Sequence, residues 1–389
     1  MSGRAGISET AGVADLLIRG ASVLGSGGFE RRDLPIVGGC VAAGPAAGAP
    51  TLDGSGLLAA PGFVDLQCNG GVGIDLAGEP ERIWELAAAL PQWGVTAWLP
   101  TIVTGPPEVT ARAQATLAAG PPVGWLGAWP IGLHLEGPFL APTKRGAHRP
   151  AFLCDPDPAA IAGWSPDRGV VLVTLAPELA GARTLIDALV ERGVVVSLGH
   201  TEATAAEAAA AADAGARWVT HLWNAMAPLH HRAPGLAGVA LTDGRLHVGL
   251  IVDGIHVHPT AVALAERALG DRLTLVTDAV SALGLPPGRH RLGTEEVTLG
   301  EGRGVRLADG TLAGSDLAMD AAVRNLRAFS GCTTARALRA ASAAPAALLD
   351  DGSRGALVPG RRGDVVLLDH DLQVVATVVG GAVVHDRRV

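Results

Sequence analysis

Tyrosine is absent from these 389 residues, lysine occurs once, at Lys144, and there are only five phenylalanines and three methionines. All other basic residues are arginine; the bias resembles that of a GC-rich coding sequence and carries no function. Positive charge is scarce, and the net charge of −8 leaves no basic face for nucleic acid and no charged block long enough for a tail. The four cysteines, Cys40, Cys68, Cys154 and Cys332, are scattered without metal-ligand spacing. They fit a reducing compartment better than a disulfide scaffold. Long apolar runs are missing as well. Charge-free stretches such as "LPIVGGCVAAGPAAGAPTL" are broken by glycine and proline and cannot make a spanning helix. The opening "MSGRAGISETAGVADLLIRG" has no apolar export core. Together these absences predict a soluble, cytoplasmic protein with neither membrane nor nucleic acid as partner.

Apolar residues make up 48% of the chain, many of them alanine, which is enough for a sizeable core. They are organised as a recurring unit of short apolar run, loop and helix. The runs are "GFVDLQ" (62–67), "VTAWLP" (95–100), "IGLHLE" (131–136), "VVLVTL" (170–175), "VVVSLGH" (194–200), "WVTHL" (218–222), "HVGLIVD" (247–253) and "LTLVTDA" (273–279). Their starts lie roughly 24 to 39 residues apart, about one βα unit. Helical segments fit between them: "TAAEAAAAADAG" has Thr204 and Glu207 at capping-box spacing and stops at Gly215. Strands apolar on both faces and alternating with helices imply a parallel sheet. Eight of them predict a closed (β/α)8 TIM barrel. The two ends of the chain carry short period-two strands and tight turns instead. Residues 1–60 and 355–389 are therefore expected to combine in one small β-sandwich domain beside a barrel spanning 61–354.

In such a barrel the chemistry sits where strands end. Glu136 ends the third run, His200 the fifth, His221 lies in the sixth and Asp278 near the end of the eighth. Singly, each has a plainer role, as a polar residue meeting solvent or a helix cap. Together they put four ionisable groups on one barrel face, where unpaired buried charge is costly. Two imidazoles and a carboxylate make a divalent-metal site with room for water, Zn2+ by ligand type, with Fe2+, Co2+ or Mn2+ as alternatives. Asp278 is then placed to accept a proton from that water.

"PGFVDLQCNGGVGIDL", "GLHLEGPFLAPTKRGAHRP", "VTLAPE", "SLGHTEAT", "THLWNAM", "PGLAG", "DGIHV", "LVTDAVSALG" and "LAGSDLAM" follow one another here. In order and spacing they resemble the N-acetylglucosamine-6-phosphate deacetylases of the amidohydrolase superfamily, from roughly residue 55 to the C-terminus. The resemblance implies hydrolysis of the acetamide of N-acetylglucosamine 6-phosphate to glucosamine 6-phosphate and acetate. It implies Glu136, His200 and His221 as ligands of one metal ion per subunit, Asp278 as general base and then acid, and His148 as polariser of the acetamide carbonyl. Ala147, Asn224, Ala225 and the backbone of Leu312, Ala313 and Gly314 match sugar-phosphate contacts. His256 and Arg232 match phosphate contacts, with Arg232 reaching in from the neighbouring subunit of a homodimer.

Many amidohydrolases hold two metals with a His-x-His pair at the end of the first strand, where this chain reads Gln67-Cys68-Asn69. Amides are poor zinc ligands, so a single metal is expected, with Gln67 and Asn69 supplying hydrogen bonds and Cys68 buried as a small hydrophobe. An added Cys68 thiolate ligand stays open at this point. The nearest rival activity is the same deacetylation of N-acetylgalactosamine 6-phosphate. More distant are a cyclic-amide hydrolase, which would want the His-x-His pair and a bridging lysine, and a non-catalytic sugar-phosphate-binding protein on the same scaffold.

Overall fold

The computed structural model describes residues 14–44, 46–292, 295–300, 302 and 304–389. The apolar runs of the middle region become parallel strands, numbered here as β1 (Phe63–Cys68), β2 (Val95–Val103), β3 (Leu133–Glu136) and β4 (Val170–Leu175). They continue as β5 (Val195–Leu198), β6 (Trp218–Val219), β7 (His247–Leu250) and β8 (Leu273–Leu275). Neighbours pair in chain order from β1 through β8. The ring closes just past the last ladder. Cys68 bridges Ala279 in parallel, the Asp278 N–H donates to Gln67 O at 2.8 Å, and the Asn69 N–H donates to Ala279 O at 2.7 Å. This is a (β/α)8 barrel with helices outside, which is why its strands read apolar on both faces.

Several strands are shorter than their apolar runs, and the difference falls at the ionisable residues. The fifth run is strand only to Leu198, the sixth only to Val219 and the eighth only to Leu275. Beyond those points His200, His221 and Asp278 take φ of +50°, +27° and +49°. A residue with a Cβ adopts that backbone only where its surroundings impose it. The turn out of the strand directs each side chain over the barrel mouth. Between strands the helices form as their patterns predict. Thr204 accepts from the Glu207 N–H while the Glu207 carboxylate accepts from the Thr204 N–H, starting helix Ala205–Asp213.

The two chain ends share one eight-stranded sheet, in which Val365–Leu368 runs antiparallel to Leu58–Pro61. Both faces are covered, giving a sandwich-like domain. Ala59, Val365, Leu367 and Val378 join Ile18, Leu34 and Ile36 in a core of their own, whereas Ala60, Val366, Leu368 and Val374 join the barrel core. That alternation is the period-two pattern of a strand with two apolar neighbours. A three-stranded antiparallel sheet, Gly288–Leu292, Glu295–Gly300 and Gly304–Arg306, follows β8 and has no counterpart in the sequence reading. Val297, Leu299 and Val305 pack it onto Val280 and Ala313, with Ala147 alongside. Among the described residues, no helix is long and apolar enough to cross a membrane.

Candidate active site

Glu136, His200 and His221 converge. Glu136 Oε1 lies 3.1 Å from His200 Nε2 and 3.0 Å from His221 Nε2, and the two imidazole nitrogens are 3.1 Å apart. All three side chains are buried. His200 Nδ1 sits 2.8 Å from Lys144 O, which can only accept, so Nδ1 carries the proton and Nε2 presents a lone pair. That lone pair faces a carboxylate oxygen and another ring nitrogen, an arrangement that is repulsive unless positive charge sits among them. Burial alone would raise the Glu136 carboxyl, yet the His200 and His221 imidazoles set against it hold it well below the usual range. The His221 imidazole is opposed by burial and is nonetheless held above its ordinary value by Glu136. The spacing is close to the ~3.3 Å edge of a tetrahedron with ~2 Å metal–ligand bonds. The donor set therefore fits a divalent cation.

His148 stands over this group. Its Nε2 lies 3.7 Å from Glu136 Oε2, and Thr104 meets its Nδ1 through Oγ1 at 2.9 Å and N at 3.4 Å. Glu136, His148 and His200 also bring one ligand atom each within 4.8 Å of one another. Two sets of three thus share Glu136 and His200, and the set with His221 is the tighter. Burial and the neighbouring His200 push the His148 imidazole down to about 3, so it is neutral and able to donate one N–H.

Asp278 is half-buried, and its carboxyl is raised to about 6 by desolvation and by the Glu136 charge. Asn69 Nδ2 donates to Asp278 Oδ1 at 2.7 Å, and Gln67 Nε2 to Glu136 Oε1 at 3.0 Å. The two amides at the end of β1 and just past it thus serve as hydrogen-bond donors to the acids of the site. Cys68, between them, is buried and points its thiol at Gly70 O, 3.5 Å away; burial holds that thiol well above its usual range. A polar layer lies beneath. His134 Nδ1 lies 3.1 Å from Leu66 O, its Nε2 lies 2.8 Å from Thr174 Oγ1, and Thr174, Thr220 and Ser197 continue the chain at 2.7 Å per link. Burial lowers His134 to about 4, so the layer under the site is uncharged at that point.

A cavity of about 630 Å³ opens over this cluster. It is lined by Ala147, His148, Asn224, Ala225, His256, Leu312 and Gly314 as well as by Glu136, His200, His221 and Asp278. Gly314 is required where it stands: φ is +67°, and a Cβ would come within 2.3 Å of Val280 Cγ1. Two of the matched residues do not line this cavity. Ala313 is fully buried behind the wall, among Val280, Val297 and Val305. Arg232 is exposed, with Nη1 2.9 Å from His231 Nε2, and does not line the cavity of its own chain.

Three positioning groups escaped the sequence reading. Thr104 holds His148 as described and donates to Glu136 O at 3.1 Å; nothing in its sequence neighbourhood signals this. Asp253 accepts from the N–H of Ile255 and of His256, each at 2.8 Å, and from His256 Nδ1 at 2.6 Å. "DGIH" carries that Asx-turn signal openly. Asp65 joins β1 to the chain just after β8 through Thr277.

Comparison with known proteins follows this geometry. The Amidohydrolase family model matches residues 58–384. The human N-acetylglucosamine-6-phosphate deacetylase is 42% identical over 348 residues, covering 85% of this chain and 84% of its own. The N-acetylgalactosamine-6-phosphate deacetylase of Escherichia coli O157:H7 is 40% identical, covering 90% and 93%. A structure of a mutant N-acetyl-D-glucosamine-6-phosphate deacetylase from Mycobacterium smegmatis, in complex with N-acetyl-D-glucosamine-6-phosphate, superposes with a TM-score of 0.86 at 36% identity. It covers 95% of this chain and 99% of its own.

Proposed function

The chain belongs to the amidohydrolase family, and from that premise we propose that it hydrolyses the acetamide of N-acetylglucosamine 6-phosphate to glucosamine 6-phosphate and acetate. One observation carries the reading: three buried acceptor atoms, on Glu136, His200 and His221, stand 3.0 to 3.1 Å apart with a half-buried carboxylate, Asp278, in the same cavity. Glu136, His200 and His221 hold one divalent cation, Zn2+ by ligand type. When bound, the cation supplies Lewis acidity, which makes water more acidic and a carbonyl more electrophilic.

The protein's own groups do the rest. Asp278 takes a proton from the attacking water and returns it to the departing nitrogen, the two roles a carboxyl near 6 can fill. Asn69 keeps that carboxylate oriented. His148, with Nδ1 accepting from Thr104, turns an Nε2–H toward the carbonyl oxygen, where negative charge develops in the transition state. Asn224, Ala225, Leu312, Gly314 and Ala147 border the sugar. His256, its Nδ1 held by Asp253, offers Nε2 to the phosphate. Arg232 completes the phosphate site of the neighbouring subunit in a homodimer; its exposed position outside its own cavity supports that role. The test is acetate release from both 6-phosphorylated epimers by purified protein, before and after chelation. Loss on chelation and recovery with Zn2+ are expected, with N-acetylglucosamine 6-phosphate preferred. Preference for the galactosamine epimer would replace the substrate, and full activity without cation would end the mechanism.

A further inference from the structure

We infer that the same site also releases N-acyl groups longer than acetyl, and that the loops after β1 and β2 form the arm that receives them. The inference rests on the deacetylase reading above. In that reading the scissile amide lies over Glu136, His200 and His221 and under His148. The groups matched to the sugar phosphate come mainly from one side: Asn224 and Ala225 after β6, His256 after β7, Leu312 and Gly314 after β8. An amide has two substituents across its C–N bond. With the sugar nitrogen toward β6 to β8, the acyl chain points the other way.

Across the ring from β6, at β2, the cavity continues. Its lining there is Ala77 and Gly78 from the loop after β1, and Val103, Gly105, Pro106 and Val109 from the end of β2 and the helix that follows. None of these six carries a charge, and none is used by an acetamide methyl that sits against His148; the guanidinium of Arg112, which also lines the cavity, is paired with Glu81. The two glycines are informative. Neither has a positive φ, and a Cβ would approach no closer than 3.6 Å to Val103 O at Gly105 or to Asp75 Oδ2 at Gly78. No tight turn or close packing demands glycine at either place; the effect of having it is open space beside the reacting group. The arm is bounded. Arg112, on the helix Pro107–Ala119, spans back to the first loop, with Nη1 2.8 Å from Glu81 Oε1 and Nη2 3.4 Å from Gly78 O. The occupant that fits is a short unbranched aliphatic acyl chain.

The reaction is unchanged by chain length. Water oxygen bonds to the acyl carbon and the C–N bond breaks. One water hydrogen ends on the amine and the other remains on the released carboxylic acid. A site closed against a methyl group would lose about tenfold or more for each added methylene. The experiment measures kcat/KM of the metal-loaded full-length protein on N-acetyl, N-propionyl, N-butyryl and N-hexanoyl glucosamine 6-phosphate. Propionyl and butyryl are expected within about tenfold of acetyl. Gly105→Val and Ala77→Phe, which fill the arm at separate points, are expected to lower the butyryl-to-acetyl ratio by about tenfold or more. A ratio is insensitive to the fraction of folded enzyme, and two variants guard against one failing to fold. A fall of more than about tenfold from acetyl to propionyl in the unaltered protein overturns the inference, as does an unchanged ratio in both variants. Acetyl-only hydrolysis would leave the deacetylase reading standing, whereas no hydrolysis of the acetyl substrate would remove both.

Discussion

Asp65 offers a test of the barrel closure that is independent of turnover. It is 1% exposed; Oδ1 accepts from the N–H of Gln67 at 3.2 Å and of Thr277 at 3.3 Å, and Oδ2 from Thr277 Oγ1 at 2.5 Å. Burial pushes its carboxyl from 3.8 up to about 7, with these hydrogen bonds pulling back and the Asp278 charge adding to the rise. A folded value above the unfolded one means that the native protein binds this proton more tightly than the unfolded chain. The stabilisation is complete below the unfolded value and is lost as pH rises through about 7. The gap corresponds to about 4 kcal/mol in total, of which about 3 kcal/mol falls between about pH 5 and about pH 8.

Asp65→Asn mimics the protonated form. Its amide oxygen can accept the two N–H groups, and its NH2 can donate to Thr277 Oγ1, freeing that hydroxyl to donate to Gln67 O, 3.2 Å away. Urea unfolding of both proteins across that pH range is the assay. The variant should gain about 3 kcal/mol on the parent toward the alkaline end. Contributions from His221 and Glu136 are common to both proteins and cancel in the difference. Parallel stability curves for the two proteins would refute the argument.

Asp278→Asn keeps its hydrogen bond from Asn69 and is expected to retain metal while kcat falls by about 10²- to 10⁴-fold; near-normal turnover would remove Asp278 from the mechanism. Gln67→Ala withdraws the donor 3.0 Å from Glu136 Oε1, so metal affinity measured by chelator competition should fall by about 10- to 100-fold. Unaltered affinity would show that the amide does not orient that ligand. Asp253→Asn weakens the bond that holds His256 Nδ1. Steady-state kinetics should then show KM for the phosphorylated sugar raised by about tenfold with a smaller change in kcat, and an unchanged KM would place the phosphate elsewhere.

Much of the site was legible because barrel geometry turns a one-dimensional rule into a three-dimensional one. Apolar runs that stop at Glu136, His200 and Asp278, or enclose His221, mark the mouth of a barrel once the alternation with helices is seen. Gln67 and Asn69 were readable as hydrogen-bond donors because amides suit that role better than metal binding. Thr104 was not legible, since its partner His148 is 44 residues away and no local pattern links a strand end to a distant loop. The sheet at Gly288–Arg306 was missed because its strands are short and largely exposed, and the apolar alternation is confined to Val297 and Leu299 of the middle strand. The sequence alone does not show that Arg232 stands exposed outside the cavity of its own chain, or that the Ala313 side chain packs behind the cavity wall.

Local chemistry along the chain thus determined the strands, the helices with their caps, and which ionisable residues end up at the barrel mouth, because periodicity and capping act over a few residues. Only the folded chain decided that His200, His221 and Asp278 leave their strands with positive φ, that three acceptor atoms meet within 3.1 Å, and that the cavity extends past the reacting amide toward β1 and β2. Those outcomes depend on closure of the ring, which brings together groups from distant segments whose mutual distances no single segment contains.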